Sequence, residues 1–530
     1  MRKRIIIGGC VLSGILLAGV MAYGLRGGAV RVDEYSVSGR PPRIYPDYSS
    51  TVIPPNIAPL NFMVQEDGSY YFVRIYCEKG EAIEVSSKSG NILIPTGPWH
   101  ALLDKNRGGE VRFDVFVRTD KRLDAARHRR QWVRFGTITN RIAGEDIDGF
   151  LVYRKIHPVN SIYNKIGIYQ RNLQNFDESP VLDNHIGNDC FNCHTFCGNH
   201  PDKMFIGIRR AANGSTTLLV EDGVVNKIGT NFGYTSWHPS GRLAVYSINK
   251  VRLFFHTAGN EARDVIDLDS ALAYYLVDSK TVRTSPEISR KDRLETYPAW
   301  SADGRYLYFC SAPLLWGSQD KLPPEGYEQL KYDLVRISYD LERDQWGKVE
   351  TVLSAQDTGQ SILLPRISPD GRWLLFCMCN YSCFPVYQQS SDLYLMDLYA
   401  AKETGIYKYH RLDINSDKSE SWHSWSSNSR WIVFSSKREH GAFTRCYISY
   451  VDEMGEAHKP LVLPQKDPLF YDSCLDTFNT PELVIGPIPV TGEKLARIVR
   501  GSAGISVEMP ITMATPKTGT LPEQGQYLRE

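Results

Sequence analysis

The stretch Ile367-Ser368-Pro369-Asp370-Gly371-Arg372, followed by the apolar run Trp373 to Phe376, decides the fold. It recurs three more times. Trp237-His238-Pro239-Ser240-Gly241-Arg242 opens into Leu243 to Tyr246, Trp300-Ser301-Ala302-Asp303-Gly304-Arg305 into Tyr306 to Phe309, and Trp425-Ser426-Ser427-Asn428-Ser429-Arg430 into Trp431 to Phe434. The small polar pair before each arginine suits a tight hairpin turn, because Gly, Asn and Asp accept positive φ at little cost. Continuous apolar runs after the turn suit strands packed on both faces. The arginines lie 63, 67 and 58 residues apart, so each repeat is long enough for a four-stranded blade with loop insertions. A later strand also repeats, at Tyr274 to Asp278, Tyr332 to Arg336, Asp392 to Asp397 and Cys446 to Ser449.

These turns with their aromatic-aliphatic strands resemble the TolB-type propeller repeat. The resemblance covers roughly residues 204 to 490, departs at Asn428-Ser429 and His238-Pro239-Ser240, and implies a six-bladed β-propeller preceded by a separate domain. Four blades carry the turn, a fifth is expected around Met204 to Lys227, and a sixth must be completed from Leu469 to Val490, joined by strands from before residue 190. Closing the ring with both chain ends removes exposed sheet edges. The expected fold class is therefore all-β: an N-terminal immunoglobulin-like β-sandwich over 53–160, a connecting segment over 161–203, and a TolB-like propeller over 204–500. The sandwich rests on short alternating runs at Tyr70 to Tyr76, Ile92 to Ile94, Val111 to Val117 and Trp132 to Phe135, separated by Asp67-Gly68, Ser89-Gly90 and Gly108-Gly109. Trp99 and Trp132 read as its core.

In the connecting segment stands Asn188-Asp189-Cys190-Phe191-Asn192-Cys193-His194. Two thiols at this spacing with an adjacent imidazole form the attachment pattern of a c-type haem. Cys190 and Cys193 would bond the porphyrin and His194 would be the proximal iron ligand. Met204 or His200 is the candidate distal ligand, with His185 a further one. A haem here would bury its face between sandwich and propeller. The rival readings are a zinc site from Cys190, Cys193, Cys197 and His200, and a disulfide for which His194 is incidental. The TolB family lacks the embedded motif; the chain looks closer to envelope proteins that join a TolB-like propeller to a haem-binding segment.

The N-terminus, Met1-Arg2-Lys3-Arg4 and then an apolar run from Ile5 to Leu25, predicts export with a signal anchor or cleaved signal over 1–28, then a proline-rich linker over 29–52. The location is the periplasm or cell envelope, with the membrane met through this segment. Cysteines in an exported chain favour disulfides, although Cys377, Cys379 and Cys383 read as buried thiols in strands. The carboxylates of Glu145, Asp146 and Asp148 read, with Arg154 and Arg171, as ion pairs locking two domains. A net charge of +1 gives no reason to expect nucleic acid as a partner. No nucleophile motif, phosphate loop or paired acid supports an enzyme. Three functions remain open: an electron-transfer or redox-sensing protein with haem c, a haem-free scaffold whose propeller face binds an envelope protein or glycan, and an enzyme using the propeller channel. The Pro- and Thr-rich 501–530 predicts a disordered tail.

Overall fold

The computed structural model describes residues 32–122, 128–156, 166–183, 190–209, 215–230, 232–255, 263–316, 323–501 and 504–505. The anchor segment, His185 and the tail from 506 onward lie outside these residues. Among the described residues no helix is long and apolar enough to cross a membrane.

Six four-stranded antiparallel sheets make up the larger part of the chain. Sheets 3 to 6 begin with the inner strands Thr235–Trp237, Arg293–Trp300, Ser361–Ile367 and Glu420–Trp425, and the repeated turn joins each to its second strand. The turn chemistry is the same in sheets 4 to 6. Ser301, Ser368 and Ser426 each donate to the residue two ahead, at 2.6, 2.5 and 2.6 Å, and accept the backbone N–H of Tyr306, Trp373 or Trp431. Gly304 and Gly371 then take φ of 71° and 78°, where a side chain would be strained.

Sheet 2 runs Cys190–Cys197, His200–Arg209, Thr216–Glu221 and Val224–Ile228. Sheet 1 takes its inner strand, Thr477–Val484, from near the C-terminus and its other three, Phe150–Ile156, Ile166–Asn172 and Glu178–Leu182, from before residue 190. Each inner strand touches the next, and Thr477–Val484 touches both Glu420–Trp425 and Cys190–Cys197, so the six sheets form a closed ring of β-propeller character. The C-terminal helix Gly492–Arg500, capped by Thr491, seats Leu495 and Val499 in the apolar layer shared by sheets 1 and 2. It covers the seam where the two chain ends meet.

The boundary expected at residue 160 falls inside this ring. The 161–203 segment is no connector: it supplies the two outer strands of sheet 1 and the inner strand of sheet 2. An inner strand arriving from the C-terminus needs partners for its N–H and C=O groups, and the strands before residue 190 provide them.

An immunoglobulin-like sandwich is not shown for the N-terminal part. Its seven-stranded sheet includes two parallel pairings, Tyr35–Val37 on His128–Arg134 and Val52–Ile53 on Ile138–Ile142, beside a three-stranded sheet. A helix, Thr96–Asp104, inserts Trp99, fully buried, with Nε1 donating to the Ile57 carbonyl at 3.0 Å. Trp132 stays only half-buried. This part shares one apolar cluster with sheet 6, and polar contacts fasten the two together. Asp148 accepts from the Ser427 N–H at 2.8 Å and hydroxyl at 2.5 Å, and Lys459 donates to Asp47 at 2.7 Å. The acidic run does lock two parts of the molecule, through Ser427, Asn428 and Tyr450, while Arg171 donates to the carbonyls of Phe176 and Pro464.

Candidate functional site in the channel

The ring encloses a channel whose wall is built from one repeated defect. In sheets 1, 4, 5 and 6 the inner strand breaks register and a residue without glycine's freedom takes positive φ: Thr480 at 48°, Tyr297 at 52°, Leu364 at 55° and Trp422 at 48°. These are β-bulges, two residues opposing one on the neighbouring strand. The second bulge residue is Pro481, Pro298, Pro365 or His423. Proline fits a place withdrawn from the ladder because it has no N–H to lose. Sheet 2 breaks register between Phe191 and His194, so Cys193 stands where the other sheets hold those prolines or His423. Immediately after the bulge come His194, Ala299, Arg366, Ser424 and Glu482, at one level around the wall.

His194 is 4% exposed, and among the described residues neither ring nitrogen has a hydrogen-bond partner. Burial pushes its pKa down to about 4; the backbone at Val152 and Thr480 holds the shift back without reaching hydrogen-bond geometry, and the Arg154 charge adds to it. The imidazole is neutral at pH 7, the form that binds a metal. His423, also pushed down by burial to about 3, is occupied differently: Nε2 lies 3.1 Å from the Leu375 carbonyl and Nδ1 3.6 Å from the Cys377 sulfur. Glu482 accepts the Phe196 N–H at 3.2 Å, and burial raises its carboxyl to about 7 against the opposing charge of Arg366.

The cavity between these groups is lined by His194, Tyr234, Arg366, Trp422, Thr480 and Glu482 among others and measures about 30 Å3. That is room for one or two waters, far below the ~300 Å3 of an ordinary ligand pocket. The haem donors pass one test and the space fails another. An unpartnered, neutral imidazole next to Cys193 fits an axial ligand, while the described channel does not hold a porphyrin. Cys190 and Cys193 are described through their backbone, with Cys190 opposite Arg209.

The other site expectations fare unevenly. The N-terminal part packs on sheets 1 and 6, whereas Cys190–Cys197 is the inner strand of sheet 2. Met204 is fully buried opposite Phe196, in the apolar cluster with Ile206, Leu218 and Val220. Its sulfur is committed to packing. His200 is exposed, beyond the Gly198-Asn199 turn. Cys190 and Cys197 stand at opposite ends of one strand that rises about 3.3 Å per residue, an extension that disfavours gathering both on one zinc ion. Among the described residues no His, Cys, Asp and Glu cluster is arranged for a metal. The eight described cysteines, Cys377, Cys379 and Cys383 included, are free thiols rather than disulfides.

Sequence reading missed a bridge over the ring. The strands Leu243–Phe255 and Arg263–Leu276 run well past the other second and third strands, and carry Asp264 and Val265 to the loop of sheet 5. There Tyr381 donates to Asp264 at 2.8 Å and the Ser382 hydroxyl to the Val265 carbonyl at 2.9 Å. The apolar pattern ending near Tyr246 gave no signal of this length.

No protein-family model matches the chain, and no curated protein does. Among solved structures it is similar to an oligogalacturonate lyase in complex with manganese, at 12% identity over 59% of this chain and 74% of that one, TM-score 0.34. It is also similar to an oligogalacturonate lyase from Vibrio parahaemolyticus, at 11% identity over 57% and 92%, TM-score 0.30. A prolyl endopeptidase aligns at 12% identity over 60% of this chain but only 42% of its own, TM-score 0.33. These likenesses bring no chemistry to the site, and the ring rests on the strand pairing alone.

Proposed function

We propose that this chain is an exported cell-envelope protein, a TolB-like six-bladed propeller that carries a c-type haem on Cys190 and Cys193 with His194 as axial ligand, and that it acts in electron transfer or redox sensing. The observation that carries the reading is His194. A buried imidazole with both nitrogens unpartnered is costly unless something binds it, and its low pKa keeps it ready to do so. The haem would supply one-electron exchange. The residues around it would exclude water and hold the imidazole in place through Phe196, whose ring meets it edge-on at 6.0 Å. Neither Met204 nor His200 is assigned as second ligand. The partners would be a redox protein of the envelope and the membrane at the N-terminal segment.

The size of the cavity favours a second reading, a haem-free periplasmic scaffold of TolB type whose propeller face binds an envelope protein or glycan. Expression of the full chain in a host with cytochrome c maturation separates the two. Under the first reading the native protein shows a haem spectrum, Cys190→Ser with Cys193→Ser loses it, and His194→Ala retains the haem with a shifted spectrum. A colourless protein beside a properly matured control cytochrome establishes the second.

A further inference from the structure

We propose that the channel holds a small monovalent anion, halide- to formate-sized, against the guanidinium of Arg366. This goes beyond the haem reading and uses neither cysteine. Arg366 lies half-buried on the cavity wall directly after the bulge at Leu364-Pro365. Its backbone carbonyl accepts from Trp425 Nε1 at 3.1 Å, but among the described residues no hydrogen bond or ion pair engages its guanidinium. Two other half-buried arginines of the ring are paired, Arg293 with Asp333 at 2.9 Å and Arg336 with Glu350 at 2.8 Å.

A cation taken from water without a partner is expensive, and a counterion offsets that cost. The carboxylate on the same wall does not serve. Glu482 is held by the Phe196 N–H, lies beyond ion-pair distance from Arg366, and has its carboxyl raised by burial so that its charge is incomplete at neutral pH. Two further hydrogen-bond donors on this wall are also unsatisfied: Trp422 Nε1, on a residue 8% exposed, and the Thr480 hydroxyl. Both occupy the positive-φ place of their bulges, as Leu364 does in the strand of Arg366. Water alone would satisfy the indole and the hydroxyl but leave the guanidinium charge uncompensated. The cavity of about 30 Å3 sets the size of the guest, since an anion the size of one or two waters fits and a sugar acid does not.

The test is thermal unfolding of the full chain in bromide, formate or gluconate at equal ionic strength, with crystals soaked in bromide for anomalous scattering. Bromide and formate should raise the midpoint saturably by a few degrees, as specific binding to the native state does, and gluconate should not. Arg366→Gln should abolish the rise, Arg366→Lys should keep part of it, and Cys190→Ser with Cys193→Ser should respond as the native protein does. The native crystals, which need no variant to fold, should show bromide beside Arg366. Equal midpoints in all three salts, an undiminished response in Arg366→Gln, loss of the response in the cysteine variant, or bromide at the surface as an adventitious ion only would each overturn the proposal.

Discussion

Arg366 and Glu482 hold the same register position on the inner strands of sheets 5 and 1, line one cavity, and form no ion pair. Their charges are felt without contact, so each should be replaceable with little effect on the other's contribution. A double-mutant cycle of Arg366→Gln and Glu482→Gln, read by denaturant unfolding in gluconate, should give a coupling below about 1 kcal/mol. A coupling of about 3 kcal/mol would mean that the two side chains meet in solution.

Two carboxyls buried at the 1% level make stability depend on pH. Burial pushes Asp267 up to about 7 and Glu295 up to about 8, and Asp267 keeps one oxygen unpartnered. Between pH 4 and 7 the folded chain retains the Asp267 proton that the unfolded chain releases, so this residue's contribution to stability declines as pH rises through that window. Buried neutral His423 works the other way, costing stability as pH falls below about 6.5. Asp267→Asn should therefore gain on the native protein between pH 5 and pH 8 in thermal melts. A difference that does not change with pH would refute the burial of this charge.

Ring closure hangs on Phe478. It is 1% exposed on the C-terminal inner strand and packs edge-on against Tyr153 at 5.3 Å, so one side chain joins residues far apart in the sequence. Phe478→Ala should cost about 3–5 kcal/mol in urea unfolding. A loss below about 1 kcal/mol would show that the seam does not need it.

Arg445 is buried to 1% with no carboxylate at hand; it donates to the carbonyls of Cys474 at 2.6 Å and of Asp476, and lies over the Tyr471 ring at 5.1 Å. It ties the segment 470–478 to sheet 6 before that segment enters sheet 1. Arg445→Met should cost about 2–4 kcal/mol, because the carbonyls lose their donors inside the protein. Limited proteolysis should then cut first within 470–478.

The repeated turns were legible because each is local: Ser301, Asp303 and Arg305 make their bonds within five residues, and Gly304 marks the positive φ. Closure of the ring was legible as a need, since an unpaired inner strand has no stable place, but its register was not, because Leu151 opposite Leu483 is set by packing across the whole chain. The spacing of Cys190, Cys193 and His194 was plain. Their placement on an inner strand was hidden, for the bulge is marked by Pro298, Pro365 and Pro481 in other sheets and by no proline in this one. Met204 stood near His194 along the chain, yet the hairpin pairs it with Phe196 and turns it into core. The immunoglobulin-like reading took alternation as sufficient, whereas the parallel pairings and the Thr96–Asp104 helix come from contacts that alternation does not encode.

The most direct test is the intact mass of the full chain under denaturing conditions, after expression with cytochrome c maturation. The account predicts a mass greater by one haem, returning to the bare polypeptide mass in Cys190→Ser with Cys193→Ser. A native protein at its bare polypeptide mass, beside a fully loaded control cytochrome, would contradict it.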